Sequence, residues 1–194
     1  MLGLVVLLCL AVGAEEQGLK APEGWGGETI ALPPGFAPGM GWQGTEKIRF
    51  APGMMKPEAD GFFSYAFAFE LRADSPLTEA EVQKEFLAYY RGLCQAVLRG
   101  KLPGLDPAAF TLQLKRQEAA PGDPAVHYTG VLDWIEPFAT RKPQRLNLEI
   151  QTWSGKEQKY VFVCVSPQDS KAAIWKELHG IRDDYRKQQP AGDE

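Results

Sequence analysis

The sequence has few of the side chains on which metal binding and acid–base catalysis most often depend. Only two of its 194 residues are histidine and only three are cysteine. His127 and His179 have no further histidine, cysteine or carboxylate at the spacing of metal ligands. No Gly-x-Ser-x-Gly segment is present to form the common serine-hydrolase turn. The sequence therefore predicts no metal site, no cofactor and no familiar catalytic constellation.

An excess of charge of one sign is also missing, because 21 basic and 25 acidic residues leave a formal net charge of only −4. Such a balance provides no electrostatic attraction for nucleic acid or for an anionic membrane surface. The other proportions, 44% apolar and 24% charged, are those of an ordinary globular chain that can bury one core without disulfides. We therefore expect no nucleic-acid partner.

Long apolar runs are confined to residues 1–14, MLGLVVLLCLAVGA, which have no charged side chain. The run is shorter than the about 20 apolar residues that span a bilayer. Val12-Gly13-Ala14 supplies the small residues of a cleavage site, so we expect a secretory signal peptide and a periplasmic or secreted mature chain. A retained anchor and a lipoprotein modified at Cys9 are the alternatives. No membrane span is expected in the mature chain.

The remaining chain divides by composition. Glycine and proline are concentrated between residues 15 and 60, which favours loops with two short strands. We predict a flexible N-terminal segment at 15–27, a single domain at 28–188 and a disordered polar tail at 189–194.

Seven strands are predicted from alternating hydrophobicity. The clearest is 61–72, where large side chains face one side while Ala66 and Ala68 face the other and leave room for a second layer. The segment KYVFVCV is apolar on both faces, as a central strand is. The predicted strands lie near 28–32, 45–50, 61–72, 110–115, 126–134, 145–151 and 159–165.

Two amphipathic helices are predicted, at 77–99 and 167–188. Thr78 and Glu81 form a capping box, and Gly100 is typical of a helix end. Ser166-Pro167 favours the start of the second helix. The resulting order, β-β-β-α-β-β-β-β-α, predicts an α+β domain with a central antiparallel sheet of six or seven strands and one helix on each face. A two-layer sheet with both helices on one face is the alternative.

This element order resembles the PsbP-like fold, which is shared by a photosystem II extrinsic protein and a Ran-binding nuclear import factor. Three local patterns contribute to the resemblance: Leu32-Pro33-Pro34-Gly35-Phe36 after an early strand, Gly122-Asp123-Pro124-Ala125 before His127-Tyr128, and a closing strand that runs through Ser166-Pro167. The resemblance implies adaptor, assembly or binding roles more often than catalysis. It assigns no functional residue to this chain.

Cys94 and Cys164 are the cysteines of the mature chain, Cys94 on a predicted helix and Cys164 on a predicted strand. In an oxidising compartment they could form a disulfide. Both also lie on or near apolar faces, where free thiols are commonly buried and inert. The sequence leaves the two alternatives open.

Two further patterns have weak chemical meaning. Residues 39–44 match Gly-x-Gly-x-x-Gly, but a loop precedes them and a strand follows, whereas a dinucleotide site needs a strand and then a helix. Met40, Met54 and Met55 supply thioethers of the kind that bind Cu(I). No histidine or cysteine is interleaved with them, so gap-filling in the core is the simpler interpretation.

Candidate ligand-binding residues come from the polar side of the predicted sheet. Alternation places Trp153 on the same face as His127 and Gln151, and an exposed tryptophan among polar groups is a plausible contact for a sugar, a peptide or a partner. Trp42, in a loop, is the fourth candidate. Packing of Trp153 beneath the first helix or the N-terminal loop is the alternative.

The sequence thus favours an exported, non-catalytic binding or assembly module with an unknown protein or small-molecule partner in the cell envelope. The alternative is a hydrolase whose site is assembled from distant residues such as His127, Asp133 and Glu149. His127 and Asp133 share a strand face, but six residues of strand separate them by roughly 20 Å. A structural subunit with an exposed apolar patch around Trp42 and Met54 is a third possibility.

Overall fold

The computed structural model describes residues 18–189 and 191–192, and the expected signal peptide at 1–14 lies outside them. Within the described residues the chain forms seven strands and two α-helices. A single 3-10 turn, Pro107–Ala109, precedes the fourth strand. The elements are β1 (Gly26–Leu32), β2 (Gly44–Phe50), β3 (Tyr65–Arg72), α1 (Glu79–Leu98), β4 (Thr111–Gln117), β5 (Val126–Ile135), β6 (Pro143–Ser154), β7 (Gln158–Ser166) and α2 (Ala173–Gln188).

The seven strands form one antiparallel sheet in the order β1-β2-β3-β7-β6-β5-β4. Strands β1 to β3 and strands β4 to β7 are two meanders, and they are joined by antiparallel pairing of β3 with β7, in which Phe67 lies opposite Val163. Helix α1 carries the chain from β3, near the centre, to the edge strand β4. The predicted single α+β domain with a central antiparallel sheet is confirmed.

The two helices cover opposite faces of the sheet, so the alternative with both helices on one face is wrong. Phe67 and Phe69 of β3 pack with Phe86 and Tyr89 of α1 in a large aromatic core. On the other face, the small side chains of β3 lie in a second core together with residues of α2. Alternation of large and small side chains along β3 therefore permits close helix packing on one side and an aromatic core on the other.

Helix α1 begins where the capping box predicts. Thr78 has extended backbone angles, and its hydroxyl accepts a hydrogen bond from the Glu81 amide. At the other end Arg99 takes a left-handed conformation with φ of 45°, and Gly100 follows with φ of 76°. A glycine there continues the reversal without a Cβ clash.

Helix α2 begins six residues later than the predicted start at 167. The polar groups that indicated a helix entry instead stabilise a turn after β7. The Ser166 hydroxyl accepts a hydrogen bond from the Gln168 amide, and Asp169 accepts one from the Lys171 amide. The Gln168 carbonyl in turn accepts hydrogen bonds from Asn147 and from the indole of Trp175.

Part of the polar tail lies against the hairpin between β6 and β7. The Gln189 carbonyl accepts a hydrogen bond from the Trp153 indole at 2.9 Å, and the Gln189 side chain accepts one from Tyr160. The amide of Gly192 donates to the Ser154 carbonyl at 3.0 Å. These contacts fix the C-terminal end of α2 over the end of the sheet at which β6 turns into β7.

Candidate functional site

One half of the α2-facing side of the sheet is not covered by a helix. Helix α2 packs on β7 and β3, and its core reaches β6 only at Trp153. The corresponding side chains of β4, β5 and β6 are polar with a single exception, and we call this surface the polar face. In register across the three strands it consists of Thr111, Gln113, Lys115 and Gln117; His127, Thr129, Val131 and Asp133; and Arg145, Asn147, Glu149 and Gln151.

Hydrogen bonds and ion pairs within this surface fix many of its side chains. Asp133 pairs with Arg145 at 3.0 Å, across the strand pair that puts them in register. Gln117 donates to the Thr129 hydroxyl at 2.9 Å. Cross-strand pairs of this kind set the orientation of polar groups on a sheet surface. The polar face is therefore a patterned surface rather than a set of independent flexible side chains.

A first charged cluster joins the polar face to α2. His179 Nε2 lies 2.8 Å from Glu149 Oε2, and Arg182 Nη1 lies 3.2 Å from the same oxygen. The Arg182 guanidinium also reaches Asp183 at 2.9 Å. His179 of α2 therefore turns toward β6.

A second cluster repeats the same histidine–carboxylate–arginine arrangement at the end of α2. His127 Nε2 lies 2.8 Å from Asp123 Oδ2, and Arg186 donates to Asp123 Oδ1 at 3.0 Å. Arg186 also donates to Gln151 at 3.0 Å, and its guanidinium lies 4.9 Å from the centre of the Trp153 ring. Arg186 thereby links α2, β6 and the loop before β5.

The electrostatics of Asp123 reflect this cluster. Partial burial acts to raise the pKa of its carboxyl, but hydrogen bonds from the Ala125 amide, Arg186 and His127 outweigh it and lower the pKa to about 2. Opposite charge and hydrogen bonds to the ionised form both favour the carboxylate. Asp123 is thus a fixed negative charge that orients His127 and Arg186.

A small depression lies between the two clusters. It has a volume of about 80 Å³ and is bounded by Gln117, His127, Thr129, Glu149 and Arg182, among others. A space of this size holds a few water molecules or one small polar group. The depression is therefore suited to an inserted side chain or functional group rather than to a whole metabolite, since ligand pockets of about 300–1,000 Å³ are usual for those.

The arrangement does not assemble the triad considered for a hydrolase. His127 and Glu149 line the same depression, but each is bonded to other partners. Asp133 lies two same-face cross-strand pairs along the sheet from Glu149, where it is paired with Arg145. The Thr129 hydroxyl, on the same strand face as His127, accepts a hydrogen bond from Gln117. No nucleophile–base pair is therefore formed by these residues.

The expectation of an exposed tryptophan is wrong, although the predicted strand face is correct. Trp153 does share its side of the sheet with His127 and Gln151, but it is only 2% exposed. Its ring stacks on Tyr160 at 5.1 Å and contacts Tyr185 of α2. The second helix covers it, rather than the first helix or the N-terminal loop.

Trp42 is also buried, at 2% exposed, which corrects the expectation of an apolar patch around it. Its indole donates to the Pro76 carbonyl, and the ring packs edge-on against Phe69 and Phe86. Gln151 is 8% exposed, and His127 is partly exposed. Of the four candidate residues, His127 therefore offers the most accessible surface.

The Gly-x-Gly-x-x-Gly segment forms no phosphate-binding loop, because a carboxylate of the protein already accepts the hydrogen bonds of two of its backbone amides. Glu85 of α1 is 1% exposed and accepts hydrogen bonds from Gly41 at 2.7 Å and from Trp42 at 3.2 Å. The buried Glu136 performs the same role in the turn after β5, where it accepts hydrogen bonds from the Ala139 and Thr140 amides. Both carboxylates stabilise turns that otherwise leave backbone donors unpaired.

Cys94 and Cys164 are free and buried, so the disulfide alternative is wrong for this structure. Cys94 belongs to the core under α1 and Cys164 to the core under α2, on opposite faces of the sheet. Burial raises the pKa of Cys94 to about 11 and raises that of Cys164 further. Both thiols are consequently poor nucleophiles at neutral pH.

The three methionines considered for copper lie at different depths: Met40 is buried, Met54 is half-buried and Met55 is exposed. Within residues 18–189 and 191–192, no three histidine, cysteine or acidic side chains come together in a way that could hold a metal ion. In the same part of the chain, neither helix combines the length and apolar character that crossing a bilayer requires.

Comparison with known proteins finds no matching family model, no matching curated protein and no matching solved structure. By its fold and its surface, the molecule is an α+β sandwich domain in which half of one sheet side is polar and is not covered by a helix. Sequence analysis did not identify Arg182, Arg186 or Asp123, which fix that surface. His179, Arg182 and Arg186 recur at helical spacing on one side of α2, and this pattern was the available indication.

Proposed function

We propose that the protein is an exported, non-catalytic binding or assembly module whose partner docks on the polar face. One observation carries the proposal: half of a sheet surface is left without a helix, although α2 lies directly beside it and is bonded to it at Glu149 and Gln151. A sheet surface buried in the fold would be apolar, whereas this one presents amides, hydroxyls and paired charges.

The chemistry of the polar face indicates a hydrogen-bonding partner. In the part of the chain that the structure describes, Met55 is the one large apolar side chain that is clearly exposed, at 37%. Stacking of a sugar ring or insertion into an exposed aromatic patch is therefore not supported. A polar, extended protein segment fits better, with one side chain entering the depression between His127 and Glu149.

Two further observations support the remainder of the proposal. The apolar run at 1–14 with small residues at 12–14 supports export. The resemblance of the element order to the PsbP-like fold supports an adaptor or assembly role, because that fold serves such roles more often than catalysis. The hydrolase alternative receives less support, since His127, Asp133 and Glu149 are bonded to other groups.

Site-specific photo-cross-linking in the native cell tests the proposal. A benzophenone side chain replaces exposed Thr129 at the centre of the polar face, and in a matched variant it replaces exposed Gln95 on the outer surface of α1. We expect a discrete adduct from position 129 alone. Equal adducts from both positions, or turnover of ester, peptide or glycoside substrates that requires His127, would overturn the proposal.

A further inference from the structure

Glu46 is a buried carboxylate in the middle of the aromatic core. It lies on β2, and strand alternation places it on the α1 side together with Ile48 and Phe50. Its side chain has 0% exposure. Tyr89 of α1 donates a hydrogen bond to Oε1 at 3.0 Å. Oε2 is the only buried side-chain nitrogen or oxygen among residues 18–189 and 191–192 that has no hydrogen-bond partner.

Of the groups facing Glu46, only the Tyr89 hydroxyl stabilises a negative charge there. From α1 they are the hydroxyls of Tyr89 and Tyr90, and from β3 the hydroxyl of Tyr65, which is bonded to Tyr90 at 2.8 Å. From β1 the facing group is the carboxylate of Glu28. Lys47, next to Glu46 in sequence, pairs with Glu70 at 2.7 Å on the opposite side of the sheet.

Burial accordingly raises the pKa of Glu46 to about 8, Glu28 raises it further, and only the hydrogen bond from Tyr89 acts to lower it. Near neutral pH the side chain is mostly a neutral acid that the core accommodates. Loss of the proton leaves a charge with one unpaired oxygen in an apolar site, which is among the most destabilising arrangements in a protein.

The segment next to Glu46 begins at one edge of the sheet. β1 is an edge strand that pairs with β2 alone, and residues Gly26–Thr29 are exposed. The following turn carries Phe36, which packs edge-on against Tyr89 at 5.0 Å and is itself half-buried. We call residues 26–38 the latch segment. Its far end is fixed, because Glu85 holds the Gly41 and Trp42 amides.

We propose that the latch segment opens when Glu46 releases its proton to solvent, hinging at Gly39, which lies between the segment and the amides held by Glu85. Opening hydrates the Glu46 carboxylate and exposes Phe36 and Tyr89. In the closed form, Met55 is the one large apolar side chain among residues 18–189 and 191–192 that is clearly exposed, so opening exposes aromatic side chains that the closed form covers. This device is separate from the polar face, and its test requires no partner.

Hydrogen exchange measured as a function of pH tests the proposal. If open Glu46 titrates normally, the opening constant of the latch segment rises tenfold per pH unit between about pH 5 and pH 8 and then levels off. After correction for intrinsic exchange rates, we expect this profile in amides of 26–38. Amides of β6 and β7 should stay more protected at every pH, because they exchange only through larger openings.

Three variants separate the proposal from a general loss of stability. Glu46→Gln should give a flat profile, and Glu28→Gln should move the plateau to lower pH because it removes a neighbouring charge from an exposed site. Phe36→Ala should raise exchange at every pH without moving the plateau. A pH-independent wild-type profile, equal protection of the latch segment and β7, or no effect of Glu28→Gln would each overturn the proposal.

Discussion

His179 of α2 lies 2.8 Å from Glu149 of β6, and this contact joins the second helix to the uncovered half of the sheet. Arg182, one turn further along the helix, reaches the same carboxylate oxygen. Glu149 thus ties two side chains of α2 to the polar face. The two histidine–carboxylate–arginine clusters form one side of the proposed docking surface.

Replacing Glu149 with glutamine should loosen this border. The variant keeps the shape of the side chain but removes the negative charge shared by His179 and Arg182. These groups are partly exposed, so we expect a loss of about 1 kcal/mol in the free energy of unfolding. Urea denaturation at pH 7 measures it. Glu157→Gln on the exposed β6–β7 turn is the control, and an equal loss in both variants would contradict the role given to Glu149.

The Asp123 cluster predicts a dependence of stability on pH in the acid range. Because the folded-state pKa of Asp123 lies near 2, below its usual value of 3.8, its stabilisation is complete above about pH 4 and is lost as the pH falls toward 2. We expect Asp123→Asn to cost about 1–2 kcal/mol at pH 7, at ~1.4 kcal/mol per pKa unit with a discount for exposure. The difference from wild type should shrink toward pH 2.

That comparison uses denaturant midpoints of the two proteins at matched pH values. Since other carboxylates titrate equally in both proteins, only the difference between them reports on Asp123. A difference that stays constant from pH 6 to pH 2 would mean that the cost of the substitution is steric rather than electrostatic.

Glu46 predicts the opposite dependence at higher pH. Its folded-state pKa of about 8 lies above the usual 4.5, so its contribution to stability is complete below about pH 4.5 and is lost as the pH rises through 8. The loss is up to about 5 kcal/mol, at ~1.4 kcal/mol per pKa unit. Glu46→Gln should lack this part of the pH dependence, so that its unfolding free energy relative to wild type improves as the pH rises from 5 to 8.

The cysteines should be inert in the folded protein. Because burial raises the pKa of both thiols and closes access to them, iodoacetamide at pH 7.5 should modify neither Cys94 nor Cys164 before unfolding. In denaturant without reductant, both should be alkylated, which mass spectrometry detects as one added group on each of the peptides that contain Cys94 and Cys164. Absence of alkylation until a reductant is added would instead show a disulfide.

Much of the fold was predictable because periodicity determines which side of an element is buried. The alternation in β5 placed His127, Thr129 and Asp133 on one face, and the structure keeps them there. The capping box at Thr78 located the start of α1. Periodicity does not show which half of a sheet face a helix covers. Trp153 was therefore assigned to the correct face but to the wrong environment.

The candidate site was predictable only in part for the same reason. Asp123 precedes β5 in a turn, and Arg182 and Arg186 lie on a helix about thirty to sixty positions from their partners in sequence. Nothing local to any of them indicates the pairing. Glu46 was not singled out from the sequence either, although its alternation with Ile48 and Phe50 on β2 placed a carboxylate on an apolar strand face.

The central claim is that a partner docks on the polar face. Its most direct test is to measure how tightly two matched variants bind the partner that photo-cross-linking identifies. Thr129→Arg adds a long side chain to the middle of the polar face, and Gln95→Arg adds the same side chain to the outer surface of α1. By isothermal titration calorimetry, we expect the first to weaken binding by about tenfold or more and the second to leave it unchanged. Equal affinity of both variants and the wild type would contradict the claim.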